Sequence, residues 1–125
     1  SDLTFAYAQL AQLGKVEFSA IYQIPCRDAV GADYWNSACL LKSELTVDEV
    51  LDILKNLETQ SGRVRQSHYI SLDIDVIAWG KDLEHMQFNP KKLPLANDVK
   101  IPLLELWQHE ALNYDDKLQY PVIKI

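Results

Sequence analysis

Residues 71–77 read SLDIDVI, and this short stretch decides how the rest of the sequence is interpreted. In a β-strand successive side chains point to opposite faces, so Asp73 and Asp75 project together while their apolar neighbours project the other way. Two neighbouring carboxylates repel each other and resist dehydration, and a divalent cation bound between them offsets that cost. The stretch therefore predicts a central strand with a metal site at its rim.

Two arginines lie shortly upstream of the aspartates, in the segment 62–65, which reads GRVR. Guanidinium groups hold phosphate oxygens in a planar fork, so Arg63 and Arg65 complement a metal-bound phosphate. Each feature alone has a simpler interpretation. Acidic residues are common on the solvent face of an edge strand, and a glycine followed by arginines is typical of a helix C-terminus. Together, at this spacing, the two features predict a metal–phosphate site.

Composition indicates a compact globular protein. The 125 residues are enough for one domain, which we predict to span 1–125, and 48% of them are hydrophobic. Twelve basic residues against 18 acidic ones give a net charge of −6, so nucleic acid finds no general attraction and any phosphate site must be local. Two cysteines are too few for a disulfide framework, and no apolar run approaches the length of a membrane span. We therefore predict a cytoplasmic protein without nucleic-acid or membrane partners.

Hydrophobic periodicity and turn residues predict a mixed order of helices and strands. In chain order the predicted elements are a helix from Leu3 to Leu13, a strand from Lys15 to Ile24, a strand from Tyr34 to Leu45, a helix from Thr46 to Gly62, a strand from Tyr69 to Trp79 and a helix from Pro102 to Leu112. A short strand at 120–125 is a further option. This order predicts an α+β sandwich, in which helices pack on an antiparallel-rich sheet.

Five segments of the chain follow the motif order of one enzyme family. They are Ser19–Pro25, Asp33–Ala38, Glu58 with the GRVR at 62–65, Leu72–Asp75 and Pro102–Leu106. Residues 33–38 resemble the family's DYLNA, residues 72–75 its LDLD, and residues 102–106 the PLxEI that opens its closing helix. From about Val16 to Trp107 the chain thus resembles 6-hydroxymethyl-7,8-dihydropterin pyrophosphokinase of the folate pathway. Five collinear matches are far more specific than any one of them.

The resemblance implies a ferredoxin-like α/β sandwich and a defined reaction. A pyrophosphoryl group passes from ATP to the hydroxymethyl group of the pterin, and AMP leaves. In that reaction Asp73 and Asp75 would hold two Mg²⁺ ions that bridge the triphosphate. Arg63 and Arg65 would take part in catalysis by contacting phosphates or by ordering a lid loop. The residues implied on the nucleotide side are Glu58, Arg65 and Val76.

The same resemblance implies where the pterin substrate binds. Asn36 would hydrogen-bond the pterin ring, Tyr34 would stack near it, and the backbone of Ile24 and Pro25 would close the pocket. These residue types also have structural roles, because pockets and cores draw on the same types. Asn36 could be a polar group at a sheet end, Tyr34 a core aromatic, and Glu58 a solvated helix residue.

The sequence departs from the family pattern where catalysis is expected. The family carries RWGPRT before its aspartate pair, whereas 66–71 here reads QSHYIS. Pro94-Leu95 stands where the family has Pro-His, and the arginine and pterin-stacking phenylalanine that follow have no counterpart between Ala96 and Ile101. Two alternatives therefore stay open. One is a catalytically weakened relative that binds pterin or nucleotide, and the other is a ferredoxin-like interaction module without a small-molecule ligand.

The beginning of the sequence carries a further expectation. The family starts with a central strand ending in GSN, whereas the sequence here starts at the helix that should follow that strand. A sheet without its central strand leaves a row of backbone donors and acceptors unpaired. We therefore expect further residues ahead of Ser1. The alternative is that residues 120–125 take the central position.

Overall fold

The computed structural model describes two compact units of the chain. The residues it describes are 2–24, 34–65, 73–114 and 120–123, without the side chains of residues 2 and 61–65. The first unit comprises Ser1–Val16 with Leu41–Leu93, and the second comprises Glu17–Leu40 with Pro94–Ile125. Three α-helices and antiparallel strand pairs among the described residues confirm the predicted α+β class, consistent with a ferredoxin-like sandwich. A single domain over 1–125 stays a prediction.

Two helices form the core of the first unit. Helix α1 spans Asp2–Ala11 and packs against α2, which spans Val47–Arg65. Each helix buries one stripe of apolar side chains at i, i+3 or i, i+4 spacing, because those positions share a helix face. The buried members are Ala6, Leu10, Leu54 and Leu57. Within the described ranges, none of the helices combines the length and apolarity needed to cross a bilayer.

The start of α2 is fixed by a reciprocal capping box. The Thr46 hydroxyl accepts a hydrogen bond from the Glu49 amide at 3.2 Å, and the Glu49 carboxylate accepts one from the Thr46 amide at 3.1 Å. Two amides that the helix cannot pair itself are satisfied in this way. The predicted start at Thr46 is confirmed.

Removing this cap should destabilise the protein measurably. We expect Thr46→Ala to lower the free energy of unfolding by about 1 kcal/mol, because one terminal amide loses its acceptor. Urea denaturation followed by circular dichroism measures the change. Thr59→Ala is the matched control, since Thr59 is exposed on the same helix and only donates to the Lys55 carbonyl at 3.1 Å. An equal loss in both variants would contradict the capping role.

The first unit also contains a β-hairpin. Strand β5, Ala78–Gly80, pairs antiparallel with β6, Met86–Phe88, and a 3₁₀ turn over Leu83–His85 joins them. The hairpin requires glycine at Gly80, because a Cβ there would lie 2.3 Å from the carbonyl oxygen of His85. A backbone atom that close cannot be accommodated without moving the turn.

Besides the hairpin, the described residues form two sheets of short strands. Strand β2 lies between β3 and β7 and pairs antiparallel with both, while β1 pairs with β4 in a two-stranded sheet. The strands are β1 at Lys15–Phe18, β2 at Ile21–Ile24, β3 at Tyr34–Asn36, β4 at Cys39–Lys42 and β7 at Val122–Ile123.

The predicted long strands, Lys15–Ile24 and Tyr34–Leu45, are each interrupted in the middle. The two breaks lie opposite each other, at Ser19 and Ala38. The Ser19 amide donates to the Ala38 carbonyl at 2.9 Å, but the Ala38 amide donates to the Ser19 hydroxyl at 2.8 Å. A side chain therefore replaces a backbone group in the ladder, and regular pairing stops on both strands.

Helix α3, Asn97–Leu106, supplies the core of the second unit together with a 3₁₀ turn at Glu110–Leu112. It contacts β2, β3 and the 3₁₀ turn. The predicted start at Pro102 is wrong, because the helix begins five residues earlier and Pro102 lies inside it. The buried apolar residues of this unit are Ile21, Ile24, Ala38, Ile101, Pro102, Trp107 and Leu112.

Three further predicted boundaries are corrected. Helix α2 does not end at Gly62 but continues to Arg65. Residues 73–77, predicted as part of a central strand, form no ladder with any described strand, and regular pairing begins only at Ala78. Strand β7 pairs at the outer edge of β2, so the described part of 120–125 does not take a central position.

Candidate active site

The two aspartates of the SLDIDVI stretch lie on an irregular segment of the first unit. Asp73 and Asp75 are exposed, whereas Ile74 and Val76 between and after them are half-buried. This alternation is the one that the sequence predicted for a strand, although the segment is not paired as one. The carboxylates are therefore presented to solvent while the apolar residues are held against the protein.

Side chains from two other elements fix the backbone of this segment. Glu58, on α2, accepts a hydrogen bond from the Ile74 amide at 2.7 Å. Asn89 donates from its side chain to the Val76 carbonyl at 2.9 Å and from its amide to the Ile77 carbonyl at 2.7 Å. Backbone groups that lack a strand partner are satisfied in this way. Glu58 therefore has a structural role beside its predicted place on the nucleotide side.

The ammonium group of Lys92, which no sequence motif predicted as part of the site, lies at the aspartate pair. Lys92 Nζ donates to Asp75 Oδ1 at 2.6 Å, and both side chains are a little over one-third exposed. The hydrogen bond to Asp75 raises the pKa of Lys92, and the charges of Asp75, Asp73 and Glu58 add to that effect against partial burial. At neutral pH this group is an ammonium cation hydrogen-bonded to the Asp75 carboxylate.

Lys92 belongs to a short turn whose start can be recognised in the sequence. Asn89 accepts a hydrogen bond from the Lys91 amide at 3.1 Å and so caps a 3₁₀ turn over Pro90–Lys92. Asparagine followed by proline is a typical start for such a turn, because the cap supplies an acceptor and the ring fixes φ. The signal locates the turn, but it does not say which carboxylate the lysine contacts.

The donor chemistry at the pair fits a magnesium ion brought by a nucleotide. Among the described residues no group of three or more histidine, cysteine or acidic side chains could hold a metal ion. Magnesium in phosphoryl-transfer sites usually binds through one or two carboxylates together with phosphate oxygens and water. The carboxylates of Asp73 and Asp75 are ligands of the kind that such a site uses.

Two of the predicted pterin-side residues, Tyr34 and Asn36, contact Asp98 in the first turn of α3. Tyr34 donates its hydroxyl to the Asp98 carboxylate, and Asn36 Nδ2 donates to the Asp98 carbonyl at 2.7 Å. Asp98 itself is buried, with 9% of its surface exposed. Ile24, opposite Tyr34 in the strand register, is a core residue at 3% exposure. Asp98 was missed because its partners lie more than 60 residues away in sequence.

The Asp98 carbonyl lies one helical turn before a proline. In an α-helix the carbonyl of residue i accepts from the amide of residue i+4, which for Asp98 is Pro102. Proline has no amide hydrogen, so Pro102 does not donate this bond. The Asn36 side chain, on strand β3, donates to the Asp98 carbonyl.

Glu105, on α3, accepts hydrogen bonds from residues at and just after the break between β1 and β2. Its two carboxylate oxygens accept from the Ala20 amide at 3.1 and 3.2 Å, and one of them accepts from the Tyr22 hydroxyl at 2.9 Å. Burial and then the Glu105 hydrogen bond raise the pKa of Tyr22 to about 12. The glutamate that matched the family motif thus holds strand and helix together.

Three of the predicted site side chains lie outside the described part of the molecule. Pro25 is not among the described residues, and neither are the side chains of Arg63 and Arg65, although their backbone belongs to α2. Val76 is described and is half-buried. The roles predicted for these four residues stay predictions.

A sequence model of the family described as 7,8-dihydro-6-hydroxymethylpterin-pyrophosphokinase (HPPK) matches residues 1–111 of the 125. The chain belongs to the HPPK family. The resemblance seen in the sequence is thereby confirmed. HPPK enzymes are ATP-dependent pyrophosphokinases of folate biosynthesis, and they use Mg²⁺, ATP and a pterin substrate. The matched range includes the aspartate pair of the first unit and both Asn36 and Asp98 of the second.

Proposed function

We propose that this chain transfers pyrophosphate from ATP to 6-hydroxymethyl-7,8-dihydropterin and releases AMP, with the cytoplasm as its location. Membership of the HPPK family supports the reaction class. The observation that carries the proposal for this chain is the presentation of Asp73 and Asp75. Both are exposed on a segment whose backbone is tied down by Glu58 and Asn89. Fixed, solvent-facing carboxylates are what a shared magnesium ion requires.

The reaction is an in-line displacement at the β-phosphorus of ATP. The hydroxymethyl oxygen forms a bond to that phosphorus, the bond from phosphorus to the oxygen bridging the α-phosphate breaks, and the electron pair leaves with AMP. The hydroxyl proton is lost as the new ester forms. Magnesium, when bound, neutralises charge on the triphosphate. Asp73 and Asp75 would hold it, with two ions expected, while Arg63 and Arg65 would contact the phosphates.

The pterin would be bound by the second unit. Asn36 would hydrogen-bond the ring and Tyr34 would lie near it, with the backbone of Ile24 and Pro25 closing the pocket. Asp98 supports this assignment because it holds both polar side chains through one residue. Side chains fixed before the ligand arrives lose less freedom on binding.

An assay for AMP tests the proposed function directly. Purified protein is incubated with ATP, Mg²⁺ and 6-hydroxymethyl-7,8-dihydropterin, and the nucleotides are separated by chromatography. We expect AMP to form only when the pterin is present, in equal amount with a pyrophosphorylated pterin. Phosphorus NMR of that product distinguishes a diphosphate ester from a monophosphate. Formation of ADP, or AMP formation without pterin, would rule out pyrophosphoryl transfer.

A second candidate, a weakened relative that binds without efficient transfer, is favoured by two observations. Asp75 already carries the Lys92 ammonium at 2.6 Å, and the segment before the aspartates lacks the family's arginines. Losing one preorganised charge contact costs about 100-fold or more in rate. Calorimetry with a non-hydrolysable ATP analogue, Mg²⁺ and pterin separates the two candidates. Tight ternary binding without AMP formation supports the weakened relative.

A further inference from the structure

Lys92 places a permanent positive charge at the carboxylates that the proposed function assigns to magnesium. We propose that Lys92 is a built-in counter-ion that competes with divalent metal at Asp75 and so sets how strongly the Asp73/Asp75 pair binds a free ion. The inference rests on the proposed function only for the identity of the metal site. It adds a positioning residue that neither the family motifs nor the sequence analysis marked.

The contact is direct and short. Lys92 Nζ lies 2.6 Å from Asp75 Oδ1, which is a short charge-assisted hydrogen bond. A divalent ion bound to the same carboxylate would be only a few ångströms from the ammonium, and the two positive charges would repel each other. The ion must then displace Lys92 or bind against that repulsion. In either case its affinity falls.

The turn that carries Lys92 is fastened to the aspartate segment. Asn89 makes four hydrogen bonds: it donates to the Val76 and Ile77 carbonyls and accepts from the amides of Lys91 and Lys92. Pro90 fixes the backbone at the first position of the turn. A freely moving surface lysine has little net effect on its partner, because ordering the side chain costs entropy. Here the backbone on both sides of the ion pair is fixed, so less freedom is lost when the pair forms.

The surrounding charge explains what the counter-ion does. The negative charges of Asp75, Asp73 and Glu58 all favour the charged form of Lys92, so its ammonium group lies in a region of negative potential. Those same charges would attract a divalent ion. With Lys92 in place, the attraction is reduced, and metal binding depends more on the phosphates that accompany it.

Manganese binding by three variants tests the inference. Mn²⁺ alone serves as the probe, and its dissociation constant is measured by electron paramagnetic resonance for the wild type and for Lys92→Gln, Lys92→Arg and Lys91→Gln. We expect Lys92→Gln to bind Mn²⁺ on the order of tenfold more tightly than the wild type, since one adjacent positive charge is removed. Lys92→Arg keeps the charge and should stay within about twofold of the wild type.

Lys91→Gln is the matched control, because it removes the same charge from the same turn. Lys91 is exposed, and its amide, not its side chain, makes the contact to Asn89. Its Mn²⁺ affinity should stay within about twofold of the wild type. Equal affinities for Lys92→Gln and Lys91→Gln overturn the inference, and so does failure of Lys92→Gln to bind Mn²⁺ at all. Circular dichroism of each variant checks that it is folded.

The outcome is independent of the assay for AMP. If AMP forms but the Lys92→Gln affinity equals that of the wild type, the counter-ion role fails and the proposed reaction stands. If no AMP forms and Lys92→Gln still binds Mn²⁺ more tightly, the counter-ion role stands and the reaction assignment fails. A thermal melt with Mn²⁺ gives a second readout, because added ligand raises the unfolding free energy in proportion to log affinity.

Discussion

Replacing either aspartate by asparagine, Asp73→Asn or Asp75→Asn, should lower the rate of AMP formation on the order of 10³-fold. The amide keeps the shape of the side chain but removes the negative charge that would share magnesium with the triphosphate. Charge stabilisation at the reacting phosphoryl group is usually the largest contribution to such a reaction, and loss of one preorganised contact costs about 10²- to 10³-fold. The measurement is initial AMP formation at saturating ATP, Mg²⁺ and pterin.

Asp52→Asn is the matched control for this experiment. Asp52 is exposed on α2 in the same unit, so its replacement makes the same change in net charge away from the pair. We expect its rate to stay within about twofold of the wild type. Both aspartate variants should remain folded, because exposed ion pairs such as Asp75–Lys92 contribute less than about 1 kcal/mol. A variant that carries both Asp73→Asn and Asp75→Asn gives a stricter test. If it turned over near the wild-type rate, neither aspartate would take part in the mechanism.

The largest effect on stability should come from Leu112→Ala in the second unit. Leu112 has no exposed surface, and it ends the 3₁₀ turn that α3 contacts. Truncation loses the transfer free energy of the side chain and leaves a cavity that a packed core closes only in part. We expect the free energy of unfolding to fall by about 3 to 4 kcal/mol. Urea denaturation at constant pH measures it, with the slope of the transition unchanged.

The control is Val122→Ala, which removes apolar atoms from a side chain that is 53% exposed in the same unit. It should change the free energy of unfolding by less than about 1 kcal/mol. A Leu112→Ala protein as stable as this control would mean that the second unit's core lies elsewhere. An altered slope in the leucine variant would indicate that the transition no longer has two states.

Periodicity in the sequence was sufficient for the class of fold and for the order of the three α-helices among the described residues. The signal for the start of α2 is local, and the predicted start at Thr46 is confirmed, with a capping box there that was not predicted. The strand breaks at Ser19 and Ala38 were out of reach, because the apolar alternation runs straight through them. They arise from a serine hydroxyl that takes over a backbone partner 19 residues away. Such exchanges depend on tertiary proximity and leave no local pattern.

The aspartate segment also shows that local sequence does not predict contacts between distant residues. Alternation correctly indicated that Asp73 and Asp75 share their exposure, but it could not show that the segment would be held by Glu58 and Asn89 in place of a strand partner. Lys92 was missed for a related reason, since 17 residues separate it from Asp75. A sequence motif identifies residues that would contact a ligand more readily than residues that fix the positions of those side chains.

The hydrogen bond from Asn36 to the Asp98 carbonyl has a consequence for the proposed binding of a pterin. Because Asn36 Nδ2 already donates to that carbonyl at 2.7 Å, the side chain is ordered when the protein folds. Ordering such a side chain costs about 0.5 to 1.5 kcal/mol, and here that cost would belong to folding and not to the binding of the substrate.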